Sequence, residues 1–498
     1  MSHAGNKRTD RLKRRADTVC GVAGRGLPGV VEFSRLRTPA TPSSMEGMTL
    51  MEINAGDTAW VLASAALVML MTPGLAFFYG GMVRMKSVLN MMMMSFITIA
   101  VVTVLWVVVG YSLTFAGDTG HVIGDFSEVG LKGLLAPEAV SGTTPTLAFV
   151  AFQLMFAIIT PALISGAIAD RATFRGWIAF VVGWTLLVYF PVAHSVWFLD
   201  DGNGGWIGDK LKAVDFAGGT AVHLNAGAAA LALAIVLGKR VGWKKDPMRP
   251  HSLPLVLLGA GLLWFGWFGF NAGSALSAGT TAAVTFVNTQ AATAAAVIGW
   301  LIVERIVHGK ATTLGMASGA VAGLVAITPS CGAVSPIGAL ILGLAAGAIC
   351  CFAVSLKYRL GFDDSLDVVG VHFVGGLFGS LAIGLLGTAA APSAVDGLFY
   401  GGGVTQLGRQ AVANVVVGLY SFTVAFILGK VIDKTIGFRL KEDDEVAGVD
   451  QVEHAETAYD YVGSAGLRGA LSARPATAAP AETENGTTEP SEKEGVKA

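Results

Sequence analysis

Charged side chains are scarce in this 498-residue chain. Asp, Glu, Lys and Arg make up 14% of it, whereas soluble domains carry about 25%. The hydrophobic share is 53% and the mean hydropathy is +0.62. These values predict an all-α polytopic membrane protein. The formal net charge of −1 gives no sign of a nucleic-acid partner.

Cysteine is also rare, and its spacing indicates neither a disulfide framework nor a zinc site. The four cysteines are Cys20, Cys331, Cys350 and Cys351. The chain has no HExxH motif and no dense cluster of metal-ligating residues. We therefore expect no metal, no cofactor and no enzymatic activity.

Long apolar runs are what the chain has in abundance. Stretches of about twenty apolar residues predict eleven transmembrane helices, at residues 58–83, 88–116, 145–169, 176–199, 215–238, 253–273, 281–304, 312–330, 336–356, 366–388 and 410–436. One set of loops carries seventeen Lys and Arg residues and the opposite set carries four. The positive-inside rule then places the N-terminus outside and the C-terminus inside.

The two ends of the chain differ from the apolar middle. Residues 1–50 carry nine Lys and Arg residues and no signal-peptide core. We expect a basic, disordered extension produced by a mis-assigned start, with Met45, Met48 or Met51 as the working start. The alternative is a tolerated extension, and N-terminal sequencing separates the two. Residues 463–498 are rich in Ala, Thr, Glu, Pro and Ser, which predicts a disordered tail.

Two histidines lie deep inside predicted spans, where ionisable groups are costly and usually functional. His223 follows Asp215 in span five, and His372 follows Asp367 in span ten. Five spans followed by five more and a final helix suggest an inverted repeat, so the two histidines can meet near the midplane. A lone buried histidine is usually a satisfied core residue, but the matched pair favours a pathway for a small neutral molecule or a proton.

Aromatic residues form a second group near the predicted outer face. Phe152 and Phe156 share one face of span three, Trp197 ends span four, and Trp267 and Phe270 lie in span six ahead of Ser274. An interfacial aromatic belt explains such residues. A cage that attracts a cation through ring faces and a Ser274 hydrogen bond explains them equally well.

Several long segments, in order, resemble the Amt branch of the ammonium transporter (Amt/Rh) family over about residues 55–462. They are Pro73-Gly-Leu-Ala-Phe-Phe-Tyr-Gly-Gly-Met-Val-Arg84, Asp215-Phe-Ala-Gly-Gly-Thr-Ala-Val-His223, Gly266-Trp-Phe-Gly-Phe-Asn-Ala-Gly-Ser274 and Asp367-Val-Val-Gly-Val-His372. The resemblance implies an eleven-helix protomer in a homotrimer, with one pore per subunit. Residues 51–440 would form the membrane domain.

The same resemblance implies roles for individual residues. Ammonium would be recruited by Trp197, Phe152 and Ser274, with Asp215 in support. Phe156 and Phe270 would form a gate, and His223 and His372 would line the pore. Trp267 and Thr328 would support the outer vestibule. Residues 441–462 resemble the family's cytoplasmic regulatory region, which couples subunits and affects docking of PII-type signalling proteins.

Together these observations predict an ammonium transporter of the plasma (inner) membrane. Ammonium would lose its proton near the gate, and ammonia would cross the hydrophobic pore, with proton co-translocation left open. The alternatives are an ammonium sensor that signals through its C-terminal region and a membrane metalloenzyme. The second is disfavoured because two spaced histidines are too few for a catalytic zinc.

Overall fold

The computed structural model describes residues 52–459. The predictions for residues 1–50 and 463–498 therefore lie outside the described residues. Two units are distinguished, Met1–Glu456 and Thr457–Ala498; residues 457–459 contain no helix or strand. The first unit is built of helices, which we number by span: α1 Ala55–Met82, α2 Met85–Phe115, α3 Thr146–Ile168, α4 Phe174–Trp197, α5 Gly219–Leu237, α6 Leu253–Gly273, α7 Thr280–His308, α8 Thr313–Ile327, α9 Pro336–Leu360, α10 Val369–Leu386 and α11 Thr405–Thr435.

Ten helices within residues 52–459 are long and apolar enough to cross a membrane, all of the eleven except α8. The helix α8 is apolar but has 15 residues, which span about 22 Å against a hydrocarbon core of about 30 Å. Two short helices follow α11, α12 Glu442–Ala447 and α13 Val449–His454. A small hairpin between α2 and α3 pairs β1 Val140–Ser141 with β2 Thr144–Pro145.

Local sequence explains where many of these helices begin. Side-chain oxygens of hydroxyl or amide residues accept a backbone N–H from the first turn of five helices, at Asn54, Thr173, Ser252, Thr312 and Ser335. Such caps satisfy a donor that has no partner within the helix. The polar breaks read from the sequence are therefore loops that end and restart helices.

Small residues let several helices approach closely. An added Cβ at Gly323 would lie 2.5 Å from the Ala296 side chain, and one at Gly379 would overlap the Ala326 carbonyl. Gly323 ends the spacing Gly315-x3-Gly319-x3-Gly323, and Gly379 ends Gly375-x3-Gly379, a small-residue pattern that permits close backbone approach. At Gly343 and Gly347 of α9, an added Cβ would overlap backbone carbonyls of α7.

The helices α5 and α10 cross at two glycines that hold equivalent places. Gly227 follows His223 by four residues, and Gly376 follows His372 by four. An added Cβ at Gly376 would lie 2.7 Å from the Gly219 carbonyl and 3.1 Å from the His223 Cβ, and one at Gly227 would lie 2.5 Å from the Phe373 amide nitrogen. Each helix also opens with a π-helical turn, Gly219–Leu224 and Val369–Phe373. The crossing therefore brings the two histidine-bearing turns together.

Substitution of Gly376 with Ala should destabilise the protein by about 1–3 kcal/mol, because the new methyl meets backbone that cannot move aside. The measurement is the thermal unfolding midpoint of the detergent-solubilised protein. Gly261→Ala in α6 is the matched control, since a Cβ there meets nothing within 4 Å. Equal midpoints for the two variants would contradict the close crossing.

Candidate functional site: a pore with paired histidines

The structure brings the two membrane-embedded histidines into contact. The Nδ1 atoms of His223 and His372 lie 3.2 Å apart. Their rings are stacked, with centroids 5.3 Å apart at 23°. Both residues are buried, with exposures of 1% and 4%. The span count and the repeat predicted that this contact could form.

The Nδ1–Nδ1 contact restricts where protons can sit. A hydrogen bond between two ring nitrogens requires one to donate and the other to accept, so the pair shares a single proton at this contact. The ring that accepts through Nδ1 then carries its own proton on Nε2. Among the described residues, His223 Nε2 has no hydrogen-bond partner. That atom is available to a small polar molecule beside it.

A narrow cavity runs along the paired imidazoles. It leaves about 10 Å³ for the centre of a water-sized molecule, which is enough for one such molecule at a time. Apart from the two histidines, its walls are apolar or aromatic: Met71, Leu75, Phe78, Ile159, Leu163, Leu263, Trp267, Phe270 and Val321. These walls offer few groups that could replace the hydration shell of an ion.

Two phenylalanines close this cavity on the side of Trp197. The ring centroids of Phe156 and Phe270 are 4.2 Å apart at 30°, with exposures of 1% and 0%. Phe270 in turn stacks over His223 at 6.0 Å, and Phe156 meets Trp197 edge to face at 5.8 Å. An unbroken column of rings therefore leads from Trp197 through the two phenylalanines to the histidines.

Beyond the phenylalanines, Trp197 and Ser274 are partly exposed. The indole N–H of Trp197 donates to the Asp215 carbonyl at 3.0 Å, which fixes the orientation of the ring. The Ser274 hydroxyl donates to the Phe270 carbonyl at 2.8 Å, so its oxygen lone pairs remain to accept a hydrogen bond. Phe152 is fully buried, at 0% exposure, and packs edge to face against Phe156 at 5.0 Å. Phe152 therefore packs behind the Phe156–Phe270 pair.

Asp215 caps the first turn of α5 from four residues before its start. Its two carboxylate oxygens accept the backbone N–H groups of Gly218, Gly219, Thr220 and Ala221 at 2.7–2.9 Å. The predicted span began at Asp215, but the helix begins at Gly219. The carboxylate of Asp215 is therefore committed to the backbone of α5. The backbone carbonyl of the same residue positions Trp197.

Trp267 and Thr328 lie beside the pore histidines, deeper than the outer vestibule where the resemblance put them. The Trp267 ring stacks on His223 at 5.3 Å, and its indole N–H donates to the Thr328 hydroxyl at 2.8 Å. Their exposures are 2% and 0%. The pair fixes the aromatic wall against which His223 rests.

The counterpart of Asp215 in the second half is Asp364, and the pairing with Asp367 was wrong. Asp364 precedes His372 by eight residues, as Asp215 precedes His223. Its carboxylate accepts the N–H groups of Val368 and Val369 at 3.1 and 2.7 Å. Asp367 instead forms an ion pair with Lys357 at 2.5 Å. The repeated pattern D-x7-H-x3-G carried the missed signal, because it spans Asp215 to Gly227 and Asp364 to Gly376.

At the opposite end of the pore from Trp197, buried ion pairs join loops from five places in the chain. Arg240 binds Asp363 at 2.9 Å and Asp170 at 3.2 Å, while Arg84 binds Asp170 at 3.0 Å. Glu445 of α12 contacts Arg84 at 3.4 Å and Arg439 at 2.6 Å. Because Asp363 directly precedes Asp364, this network reaches the start of the helix that carries His372.

Burial and charge shift the pKa values within this network in opposite directions. Burial alone would raise the pKa of Asp363, but hydrogen bonds and positive charge from Arg240 and Arg171 hold it below the ordinary value. Burial lowers the pKa of Arg171 to about 10. For Asp364, burial raises the pKa to about 6 against the positive charge of Lys357. The network thus holds Asp363 in its charged form more firmly than Asp364, the residue that caps α10.

Within residues 52–459, no group of three or more His, Cys, Asp or Glu side chains is placed to hold a metal ion. The arrangement is instead that of a helical membrane protein in which a column of aromatic rings and two imidazoles borders a narrow, mostly apolar cavity. Comparisons with known proteins agree with this class.

The family model for the Ammonium Transporter Family matches residues 59–459. An ammonium transporter of Mycobacterium tuberculosis is 58% identical over 439 residues, which cover 83% of this chain and 92% of the relative. The crystal structure of Candida albicans Mep2 superposes with a TM-score of 0.72 at 35% identity, covering 79% of this chain and 88% of that one. A structure named Sensor Amt Protein has a TM-score of 0.74 at 28% identity, covering 80% and 98%. This chain therefore belongs to the ammonium transporter family.

Replacing His223 or His372 singly with Ala should change conductance or ion selectivity, because each removes one half of the proton-sharing pair and widens the pore. The measurement is ammonium-evoked current in proteoliposomes, with size-exclusion chromatography to show that assembly is intact. Wild-type currents and selectivity in both variants would rule out a role for the pair in conduction.

Proposed function

We propose that this protein recruits ammonium at Trp197 and Ser274, strips its proton at the Phe156–Phe270 seal, and conducts ammonia along His223 and His372. The observation that carries the proposal is the closely packed phenylalanine pair beside two hydrogen-bonded imidazoles, which line a narrow cavity with room for one small molecule.

Recruitment follows from the groups at the outer end. The face of Trp197 attracts a cation, a contact worth about 2 kcal/mol when desolvated. The Ser274 oxygen accepts an N–H from the same cation, because its own proton is committed to Phe270. The Asp215 carboxylate adds negative charge nearby while its oxygens remain bound to the backbone.

The seal and the apolar walls favour passage of the neutral molecule. Moving a bare cation into such a pore costs several kcal/mol even after relaxation, and two neutral imidazoles provide no compensating charge. Ammonia avoids this penalty and can exchange hydrogen bonds with the free nitrogen of His223. The proton left by ammonium can follow through the shared Nδ1 contact, which makes proton co-translocation part of the proposal.

We propose that the protein crosses the plasma membrane eleven times, with its N-terminus outside and its C-terminus inside. The pairing of Arg240 with Asp363 supports the count. Their loops follow α5 and α9 and meet on one face, so an even number of spans must separate them. Four helices, α6 to α9, meet this condition only if the short helix α8 also crosses.

The cytoplasmic segment 441–462 is proposed to regulate the pore through the ion-pair network. Glu445 also accepts the backbone N–H of Val241 at 2.9 Å, and Asp450 accepts those of Leu89 and Asn90 at 3.0 and 2.8 Å. The part of the segment in α12 and α13, residues 442–454, is thus held against the start of α2 and the loop after α5. Assembly as a homotrimer and docking of a PII-type signalling protein are further proposals. Native mass spectrometry, without and with a PII-type protein, tests both.

Substituting Trp197 with Leu should raise the KM for ammonium uptake about ten- to thirtyfold, since a cation–π contact of up to ~2 kcal/mol is lost. Labelled ammonium uptake into proteoliposomes measures this. Trp264→Leu is the control. It also replaces an indole, but that indole donates to Gln290 at 3.1 Å and takes no part in the proposed recruitment site.

Uptake no faster than in protein-free vesicles would contradict the transport proposal. It would then favour the sensing alternative, which uses the same outer site but requires no flux. An unchanged KM in the Trp197 variant, with normal uptake, would contradict only the recruitment site.

A further inference from the structure

Four buried polar side chains lie beneath the loop that leads into α5, and neither the gate nor the pore uses them. Gln410 and Asn414 come from α11, Ser380 from α10 and Thr220 from α5, with exposures of 0–2%. Asn414 donates to Ser380 at 2.9 Å, and Thr220 donates to Asn414 at 2.8 Å. The cluster joins α11 to the start of the helix that carries His223.

Both ends of the Gln410 side-chain amide form hydrogen bonds with the backbone of Val214. Its Oε1 accepts the Val214 N–H at 2.7 Å, and its Nε2 donates to the Val214 carbonyl at 2.7 Å. The second Nε2 hydrogen goes to Ser380 at 2.9 Å, and Oε1 also accepts from Gln406 at 3.0 Å. All four hydrogen-bonding positions of the amide are therefore used.

Val214 adjoins the outer site. It is bonded directly to Asp215, whose carbonyl holds the Trp197 indole at 3.0 Å. Gln410 is thus connected to Trp197 through the backbone of two adjacent residues, Val214 and Asp215. The carboxylate of Asp215 fixes the chain toward α5, and Gln410 fixes it on the other side.

We propose that Gln410 is a positioning residue for the recruitment tryptophan, through the Val214–Asp215 peptide. This inference rests on the proposed function of Trp197. Burying a polar group in apolar surroundings costs free energy, and four hydrogen bonds offset this cost for Gln410. Two of them hold the backbone of Val214. The helix α11 therefore sets the substrate affinity of a site to which it contributes no substrate contact.

A purely structural role for Gln410 would show itself differently. It would lower stability and the amount of folded protein while leaving the affinity of the folded fraction unchanged. A positioning role shifts KM and leaves the maximal rate of the folded protein nearly constant, because gate and histidines are untouched.

In the test, labelled ammonium uptake by reconstituted full-length protein is measured for Gln410→Leu and Gln410→Glu. Gln410→Leu removes both hydrogen bonds to Val214, and we expect its KM to rise about tenfold with the maximal rate within about twofold of wild type. Ser421→Ala is the control. It removes one buried hydrogen bond of the same helix, to the Asn225 carbonyl at 2.8 Å, and should leave KM unchanged.

Gln410→Glu keeps the size of the side chain and adds a pH dependence. An ionised glutamate still accepts the Val214 N–H but cannot donate to its carbonyl, whereas the protonated acid can do both. The ratio of its KM to the wild-type KM at the same pH should therefore fall toward one as the external pH is lowered. This variant keeps the proposal testable if Gln410→Leu does not fold.

A wild-type KM in a folded Gln410→Leu protein would overturn the positioning role. A Gln410→Glu ratio near one at a pH where infrared spectra show that the glutamate is ionised would overturn it as well. If Trp197→Leu raises KM in the same assay, the recruitment site stands and only the inference on Gln410 fails. Absence of uptake by the wild-type protein would instead defeat the proposed function itself.

Discussion

The crossing of α5 and α10 is the constraint on which the rest of the site depends. Gly227 and Gly376 remove the side chains that would hold the two helices apart, and each lies four residues after a histidine. The π-helical turns that open both helices then aim the imidazoles at one another, with Nδ1 atoms 3.2 Å apart. Asp215 and Asp364 stabilise these turns by accepting their first backbone N–H groups, which would otherwise lack partners within the helix. The glycine, the π-helical turn and the capping carboxylate therefore form one arrangement that occurs twice in the chain. The two copies meet at the hydrogen bond between the histidines.

In the proposed mechanism, the paired imidazoles determine which molecules can cross the pore, and selection among cations takes place at a separate site. Two stacked imidazoles in an apolar tube offer hydrogen bonds but no fixed charge, so they suit a neutral molecule and oppose an ion. In the proposed mechanism, discrimination among cations therefore occurs before the phenylalanine pair, at Trp197 and Ser274, where the Ser274 oxygen can still accept a hydrogen bond. The backbone around Asp215 connects the two tasks, because its carboxylate caps the pore helix and its carbonyl orients the tryptophan. On the other face, a chain of ion pairs connects the loop before α10 with α12, and it runs from Asp363 through Arg240, Asp170 and Arg84 to Glu445.

Much of this could be predicted from sequence because the signals are local or periodic. Long apolar runs fixed the positions of the helices, and an ionisable residue within such a run is conspicuous, as at His223 and His372. The equivalence of Asp364 was missed because a neighbouring acid, Asp367, stood closer to the histidine, and only the backbone shows which carboxylate caps the turn. Gln410 was missed for another reason. Its partner Val214 is 196 residues away, and nothing in the sequence around either residue indicates the contact. The depth of Trp267 and the burial of Phe152 likewise depend on packing between helices.

The central claim is that the neutral molecule crosses the seal and the bare cation does not. The most direct measurement compares currents evoked by ammonium and by potassium in proteoliposomes containing the wild-type protein, at equal concentration and with protein-free vesicles as the baseline. Potassium has no proton to give up, so the account predicts no potassium current above that baseline, while labelled ammonium accumulates whether or not its transport carries charge. A potassium current comparable to the ammonium current would contradict the account, because it would mean that an intact cation passes the phenylalanine pair and the histidines.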